Sequence, residues 1–346
     1  MSKIRIHRGW LPDGLPSPDV YFTAEYGRAC SIADGGEWVL LEAYDGAWQV
    51  PLILRTLADG SRDAISPYGY SGVYASPALS SSQVQQAWAA TVTSLRECGV
   101  ISMVLRHSPL VPQAADLPGL RSIVSGHPTV VLEPADSDSA WRGMAGTCRT
   151  RIRKAIKNGY TGAVRPTTAR DLAPDGDFRS LYEWTMERLK AAPAYFFNGD
   201  YYGELLDGLG SNLLVVEVQD GPGTVVSAAL LMRHGERLHY HLAGSNVDGL
   251  QMGSNNLMLW TAMDYAAVQG LRQFHLGGGR VPGDDLFRFK RKFGGRELEY
   301  QVSGLIVEDE PYQAHTEIRA KEIDTTTDDL SSADFFPAYR GGTPDV

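Results

Sequence analysis

The sequence predicts an α/β protein with two tandem domains of one design, each a mixed, mainly antiparallel sheet with flanking helices. Three observations carry this expectation. The order strand, turn, strand, strand, helix, strand occurs twice, the two passes lying about 170 to 180 residues apart. Each pass contains an Asp-Gly turn, Asp45-Gly46 and Asp220-Gly221, which is a strong short-range hairpin signal. Each helix then runs out at a glycine and is followed by an apolar strand, so the chain crosses the sheet and returns to it. At 346 residues there is enough chain for two cores.

The elements follow in order. EWVLLEAYDGAWQVPLILRTL gives two apolar runs joined at Asp45-Gly46, and a third extended segment is expected over 63–70. SSSQVQQAWAATVTSLRECG reads as a helix with serines to cap its start and Gly99 to end it. Its apolar residues Val84, Trp88, Val92 and Leu95 fall on one face, and a buried strand is expected over 100–105. Between the two passes lies a helical region: one helix over 139–158, a second over 178–189 and a short third over 200–209. The second pass gives strands over 213–218, 224–232 and 237–243, a helix over 254–270 and a strand over 272–276. Gly277, Gly278 and Gly279 follow, and then a compact basic and aromatic element over 287–293 with a short helix starting at Leu286. The tail from Glu308 is polar and acidic, with 325–332 expected to be loose and the aromatic clump 335–339 expected to pin the end of the chain. The expected domains are 1–135, 136–307 carrying the chemistry, and a tail, 308–346, docking on a domain surface.

Composition narrows the function classes. With 43% hydrophobic and 21% charged residues, no run of about 18 apolar residues and no apolar stretch at the start, a cytoplasmic enzyme is expected. The three cysteines are far apart and lack CxxC spacing, which argues against a disulfide framework or a zinc site. A net charge of −9 argues against a surface that is basic all over. Two local basic patches remain, 149–157 and 288–296. The triple glycine follows a strand but lacks the GxGxxG register of a dinucleotide site, which disfavours an oxidoreductase.

Particular residues are candidates on chemical grounds. Arg149, Arg153 and Lys157 stand at i, i+4 and i+8, a row that suits an anion or a solvated helix face. Arg291 and Lys292 invite the same two readings. His239 and His241 alternate on a strand, with Tyr240 on the other face, and no third ligand has suitable spacing, so no metal is expected. Glycine permits close backbone approach, so Gly278 and Gly279 beside fixed cations suit a developing negative charge or a phosphate. Asp284 and Asp285 either cap the helix at Leu286 or serve as a base, and Asp285 is the candidate base. Tyr68, Tyr70 and Arg106 in the first domain, and Phe289 in the second, are candidate substrate contacts.

Taken in order, RTRIRKAIKNGY (149–160), LHYHLAGS (238–245), the helix GSNNLMLWTAMDYAAVQG and FRFKRKFGG (287–295) resemble the Fem-type acyltransferases, which are tandem copies of the N-acetyltransferase (GNAT) fold. SPYGYSG (66–72) resembles a segment of related GNAT-like proteins. The likeness covers about residues 18 to 305. It implies transfer of an acyl group to an amine: an amino acid from aminoacyl-tRNA, as co-substrate, to a small peptide, sugar or natural-product acceptor. The alternative it leaves is an acyl-CoA donor and an amino sugar or related acceptor. No long coiled-coil arm is inserted in the second domain, and GLQMGSN (249–255) only partly resembles the loop that holds coenzyme A pyrophosphate. Lys290 matches the lysine of the family's F-K motif, which implies contact with the oxyanion or leaving group. Tyr240 and His241 are candidates for a proton relay, and the basic residues are candidates for tRNA phosphates.

Overall fold

The computed structural model describes residues 3–333 and 335–342. Its elements in chain order are β1 (Arg5–Arg8), α1 (Ala24–Asp34), β2 (Glu37–Ala43), β3 (Trp48–Thr56), β4 (Arg62–Ile65), β5 (Tyr74–Ala75), α2 (Ser81–Glu97), β6 (Val100–Arg106), β7 (Arg121–Leu132), α3 (Ser137–Gly143), α4 (Gly146–Lys157), β8 (Thr161–Pro166), α5 (Ala169–Leu172), α6 (Asp177–Arg188), α7 (Gly199–Leu209), β9 (Leu213–Gln219), β10 (Val225–His234), β11 (Arg237–Ser245), α8 (Val247–Met252), α9 (Ser254–Val268), β12 (Gln273–Gly278), α10 (Asp285–Arg291), β13 (Arg296–Ile306), α11 (Asp309–Glu322) and α12 (Thr327–Ser332). Two compact units emerge: the chain up to Gly126 together with the chain from Tyr300 on, and His127–Glu299. The sequence placed the divisions at 135/136 and 307/308. They fall instead within β7 and β13, where no Pro- or Gly-rich linker marks them.

In the first unit the strand order is β1-β2-β3-β4-β6-β13, with β5 beside β3. The Asp45-Gly46 turn brings Tyr44, Asp45 and Gly46 to positive φ and sets Ala43 opposite Trp48. Only β4 and β6 pair in parallel, the crossover being α2, whose start is closed by a capping box between Ser80 and Gln83. The expected strand over 63–70 stops at Ile65: the Ser66 amide still donates to the Val104 carbonyl at 2.9 Å, but the Arg106 amide donates to the Ser66 hydroxyl in place of a backbone carbonyl, and Pro67 follows. One apolar cluster packs Trp88 and Leu95 of α2 on Val50, Leu52, Ala64 and Met103. A second gathers Tyr312, Leu330 and Tyr339 on Ile101. Residues 325–332 are not loose: Thr326 caps α12 and Leu330 is buried.

The second unit has the order β7-β12-β11-β10-β9-β8, with only β11 and β12 parallel. Cys148, Ile152 and Ala155 of α4 and Leu257, Met258, Ala262 and Ala266 of α9 bury one face of this sheet. From the other face α6 packs on β10 and β11, approaching so closely at Gly244 that a Cβ there would run into the backbone of Leu181. The single helix expected over 139–158 is two. Met144 is extended and buried, and Ala145 donates its amide to the Lys292 carbonyl at 2.9 Å.

Candidate functional site

The parallel pairing of β11 and β12 runs through Arg237↔Gln273, Leu238↔Phe274 and His239↔His275 and then ends, although both strands continue. Each carries a bulge at that level. In β11 the extra residue is His241, since Tyr240 faces Leu231 and Leu242 faces Leu230. In β12 it is Leu276, followed by Gly277 at a φ of 70°. Bulges bend the strands that carry them, so the two strands part at Tyr240 and Gly277.

Helix α10 brings a cation to this opening. Asp284 caps it, accepting from the amides of Phe287 at 2.8 Å and Arg280 at 2.7 Å. Phe287 and Lys290, three residues apart, share the buried face. Lys290 is only 6% exposed, and its Nζ donates to the Gly278 carbonyl at 2.7 Å and lies 5.6 Å from the centre of the Tyr240 ring. Burial lowers the lysine to about 8, against the pull of Asp284. A Cβ at Gly279 would meet the Asp284 carboxylate and have to displace this cap.

Next to Tyr240, the His241 Nε2 lies 2.7 Å from the Tyr201 hydroxyl of α7. Burial, helped by His239, pushes the imidazole down to about 3, so it is neutral. Burial raises Tyr240, which stays a phenol. At the start of α9 the 249–255 segment is largely helical. Its Gly249 amide donates to Asn246 Oδ1 at 2.8 Å, and Gly253, at a φ of 90°, both ends α8 and starts α9. Arg151 and Lys154 of α4 donate to the Gln251 carbonyl at 3.4 and 3.1 Å. Asn255 accepts from the Ser245 and Ser227 hydroxyls.

The structure brings Lys290, Tyr240, Gly278 and Gly279 together, with His241 adjacent in β11 and Phe289 edge-on to buried Phe293 at 5.5 Å. Asp285 does not join them. Its side chain is 99% exposed and pairs with Arg288 at 2.7 Å, because the cap position that faces inward belongs to Asp284. Of the basic row, Arg149 donates to the Arg142 carbonyl at 3.0 Å, Arg153 lies over the Trp141 ring at 5.2 Å, and Lys157 is exposed. Arg291 pairs with Glu297 at 2.7 Å and Lys292 is exposed. Tyr68, Tyr70 and Arg106 lie in the first unit, where Tyr70 meets the Tyr300 ring at 5.1 Å and Arg106 lies 6.0 Å from the same ring. Sequence reasoning missed Tyr201, Arg151 and Lys154. The last two were readable from their i, i+3 spacing on α4, whereas nothing local marks Tyr201.

Residues 146–291, most of the second unit, match the family described as Acetyltransferase (GNAT) domain. The second unit has a GNAT-like fold. Across both units the chain is similar to several solved structures. The crystal structure of FemX shares 14% identity, with 83% of this chain and 93% of that one covered at a TM-score of 0.60. The C-terminal domain of a putative lysylphosphatidylglycerol synthetase from Agrobacterium fabrum shares 14%, with 82% and 90% covered at 0.55. A tandem GNAT protein from the clavulanic acid biosynthesis pathway shares 10%, with 89% and 99% covered at 0.51. No curated protein sequence matches the chain significantly. At these identities the likeness is one of fold. No helix among the described residues is long and apolar enough to cross a membrane.

Proposed function

We propose that this chain moves the aminoacyl group of an aminoacyl-tRNA onto the amine of a small peptide, sugar or natural-product acceptor. The observation that carries the reading is the buried Lys290, held by the Gly278 carbonyl at the opening between β11 and β12. In the reaction the acceptor nitrogen attacks the ester carbonyl carbon, the carbonyl electrons move to oxygen, and collapse expels the ribose oxygen, which takes up a proton. An ammonium whose third donor is already fixed has two more for the oxyanion or the departing oxygen, and low-dielectric surroundings strengthen both contacts. Neutral His241, hydrogen-bonded to Tyr201, and Tyr240 beside Lys290 are the groups suited to relay the proton lost by the amine.

The choice of donor rests on the Fem-type resemblance and on the 249–255 segment. A pyrophosphate-holding loop presents free amides, whereas here Gly249, Leu250 and Gly253 donate to partners inside the α8 turn. The second reading, an acyl-CoA thioester donor, is favoured by the acetyltransferase family match itself. Incubation with radiolabelled aminoacyl-tRNA or acetyl-CoA and a pool of amines, with and without ribonuclease, separates the two. Ribonuclease-sensitive transfer from tRNA is expected, and transfer that needs the CoA thioester and survives ribonuclease overturns the tRNA reading.

A further inference from the structure

The first unit contains a cavity of its own, of about 110 Å³, lined by Asp34, Ile65, Ser66, Pro67, Tyr68, Val104, Arg106 and Val302. It forms where the last residue of α1 comes down on three neighbouring strands. Ile65 of β4 is opposite Val104 of β6, and Arg106 of β6 is opposite Val302 of β13, so these four side chains share one face of the sheet. Of the lining residues only Tyr68 is exposed, at 37%. The volume equals that of about four liquid water molecules, enough for the ammonium, α-carbon and carboxylate of an amino acid.

Two opposite charges line this space without satisfying each other. Among the described residues no ion pair joins Asp34 to Arg106, and the Asp34 carboxylate accepts no hydrogen bond. The nearby Arg55 is paired with Asp63 at 2.8 Å and acts on Asp34 only through space. Among the described residues the Arg106 guanidinium donates to no protein oxygen, and it lies 6.0 Å from the centre of the Tyr300 ring. Burial raises the Asp34 carboxyl, while Arg55 and Arg106 hold it down. Asp34 and Arg106 are both part-buried beside Ile65, Val104 and Val302, so a ligand that pairs with both would replace water at two charges in one small space. Ser66 adds a hydroxyl that accepts from the Arg106 amide at 3.1 Å and has its own hydrogen left to donate.

We propose that this cavity binds an α-amino acid moiety, its ammonium on Asp34 and its carboxylate on Arg106 and Ser66. The fit is one of charge order: one acceptor and one forked donor, separated by apolar walls, match a ligand that carries both charges on one carbon. The substituent on that carbon points toward Tyr68, the one exposed part of the lining. The site lies wholly in the first unit and shares Tyr68 and Arg106 with the candidate substrate contacts; binding of free alanine tests it whether or not the acyl-transfer reading holds.

Calorimetric titration of the full chain with alanine, N-acetylalanine and alaninamide tests it. Alanine is expected to bind saturably, and loss of either charge to weaken binding about tenfold or more. Asp34→Asn is expected to bind alanine no better than N-acetylalanine, Arg106→Gln to bind it no better than alaninamide, and Lys290→Ala to bind it as the unaltered chain does. The three-ligand comparison is made on the unaltered chain, so misfolding of a variant cannot mask it. Equal affinity for all three ligands overturns the proposal, as does loss of binding in Lys290→Ala with Asp34→Asn unaffected.

Discussion

The Nζ of Lys290 donates to the carbonyl oxygen of Gly278 at 2.7 Å, which ties α10 to the end of β12. One hydrogen bond thereby fixes both the cation and the glycine backbone that borders the opening. Lys290→Ala is expected to lower kcat by about a hundredfold or more, the effect of removing one oxyanion donor. Steady-state rates on protein with unchanged circular dichroism check this, and a near-normal rate removes Lys290 from the chemistry.

The pH dependence of the same residue has a worked sign. Its folded value of about 8 lies below its ordinary 10.5, so the fold favours the neutral amine. Above the folded value the unfolded chain holds more protons, and stability therefore rises with pH; the destabilising contribution is complete below about 8 and gone above 10.5. Activity that needs the ammonium moves the other way, falling as pH passes about 8. Lys290→Arg, which keeps its charge, is expected to lose that alkaline limb in a profile of kcat at saturating acceptor.

His241 is expected to give no limb in the same profile. With its value pushed down to about 3, the imidazole stays neutral from about pH 5 upward. A limb near about pH 6.5 that disappears in His241→Asn would show instead that the imidazole gains a proton there.

Gly244→Ala probes the contact between β11 and α6. A Cβ at this position meets the Leu181 backbone, which cannot swing aside as a side chain can. A loss of about 1–3 kcal/mol is expected in urea unfolding, and no loss shows that α6 can shift at little cost.

If the donor is tRNA, the free cations of the second unit set its salt dependence. Lys157 and Lys292 are exposed and form no ion pair among the described residues. The double variant Lys157→Glu, Lys292→Glu is expected to weaken tRNA binding and to reduce the slope of log K against log salt by about 2 or more. An unchanged slope excludes both residues from the phosphate contacts.

The parts of this architecture that were legible in the sequence are those in which burial shapes the residue pattern. Strands β9 and β10 and helix α9 are apolar over most of their length, and the sequence reading located them, and β11, within a few residues. Strands β7 and β13 were not found, because much of each is exposed and their residues alternate too weakly to reveal a strand. Helix α1 was hidden by Gly27, a residue that weakens a helix locally but lets Trp38 press against its backbone. At the site, Lys290 was readable because a motif surrounds it. Tyr201 reaches His241 across 40 residues of chain, and Asp284 differs from Asp285 only in which carboxylate faces the helix end. Distinctions of that kind depend on tertiary geometry that no local pattern encodes.

The first unit draws its strand β13 from beyond the whole of the second unit, so the order of synthesis separates β6 from its neighbour. Until translation passes residue 306, β6 has no neighbour on one side, although Val100, Ile101, Met103 and Leu105 are already committed to the interior. The first unit to begin synthesis is therefore the last to be completed. A chain that stops between residues 299 and 302 would have its second unit and an unprotected, aggregation-prone edge on β6.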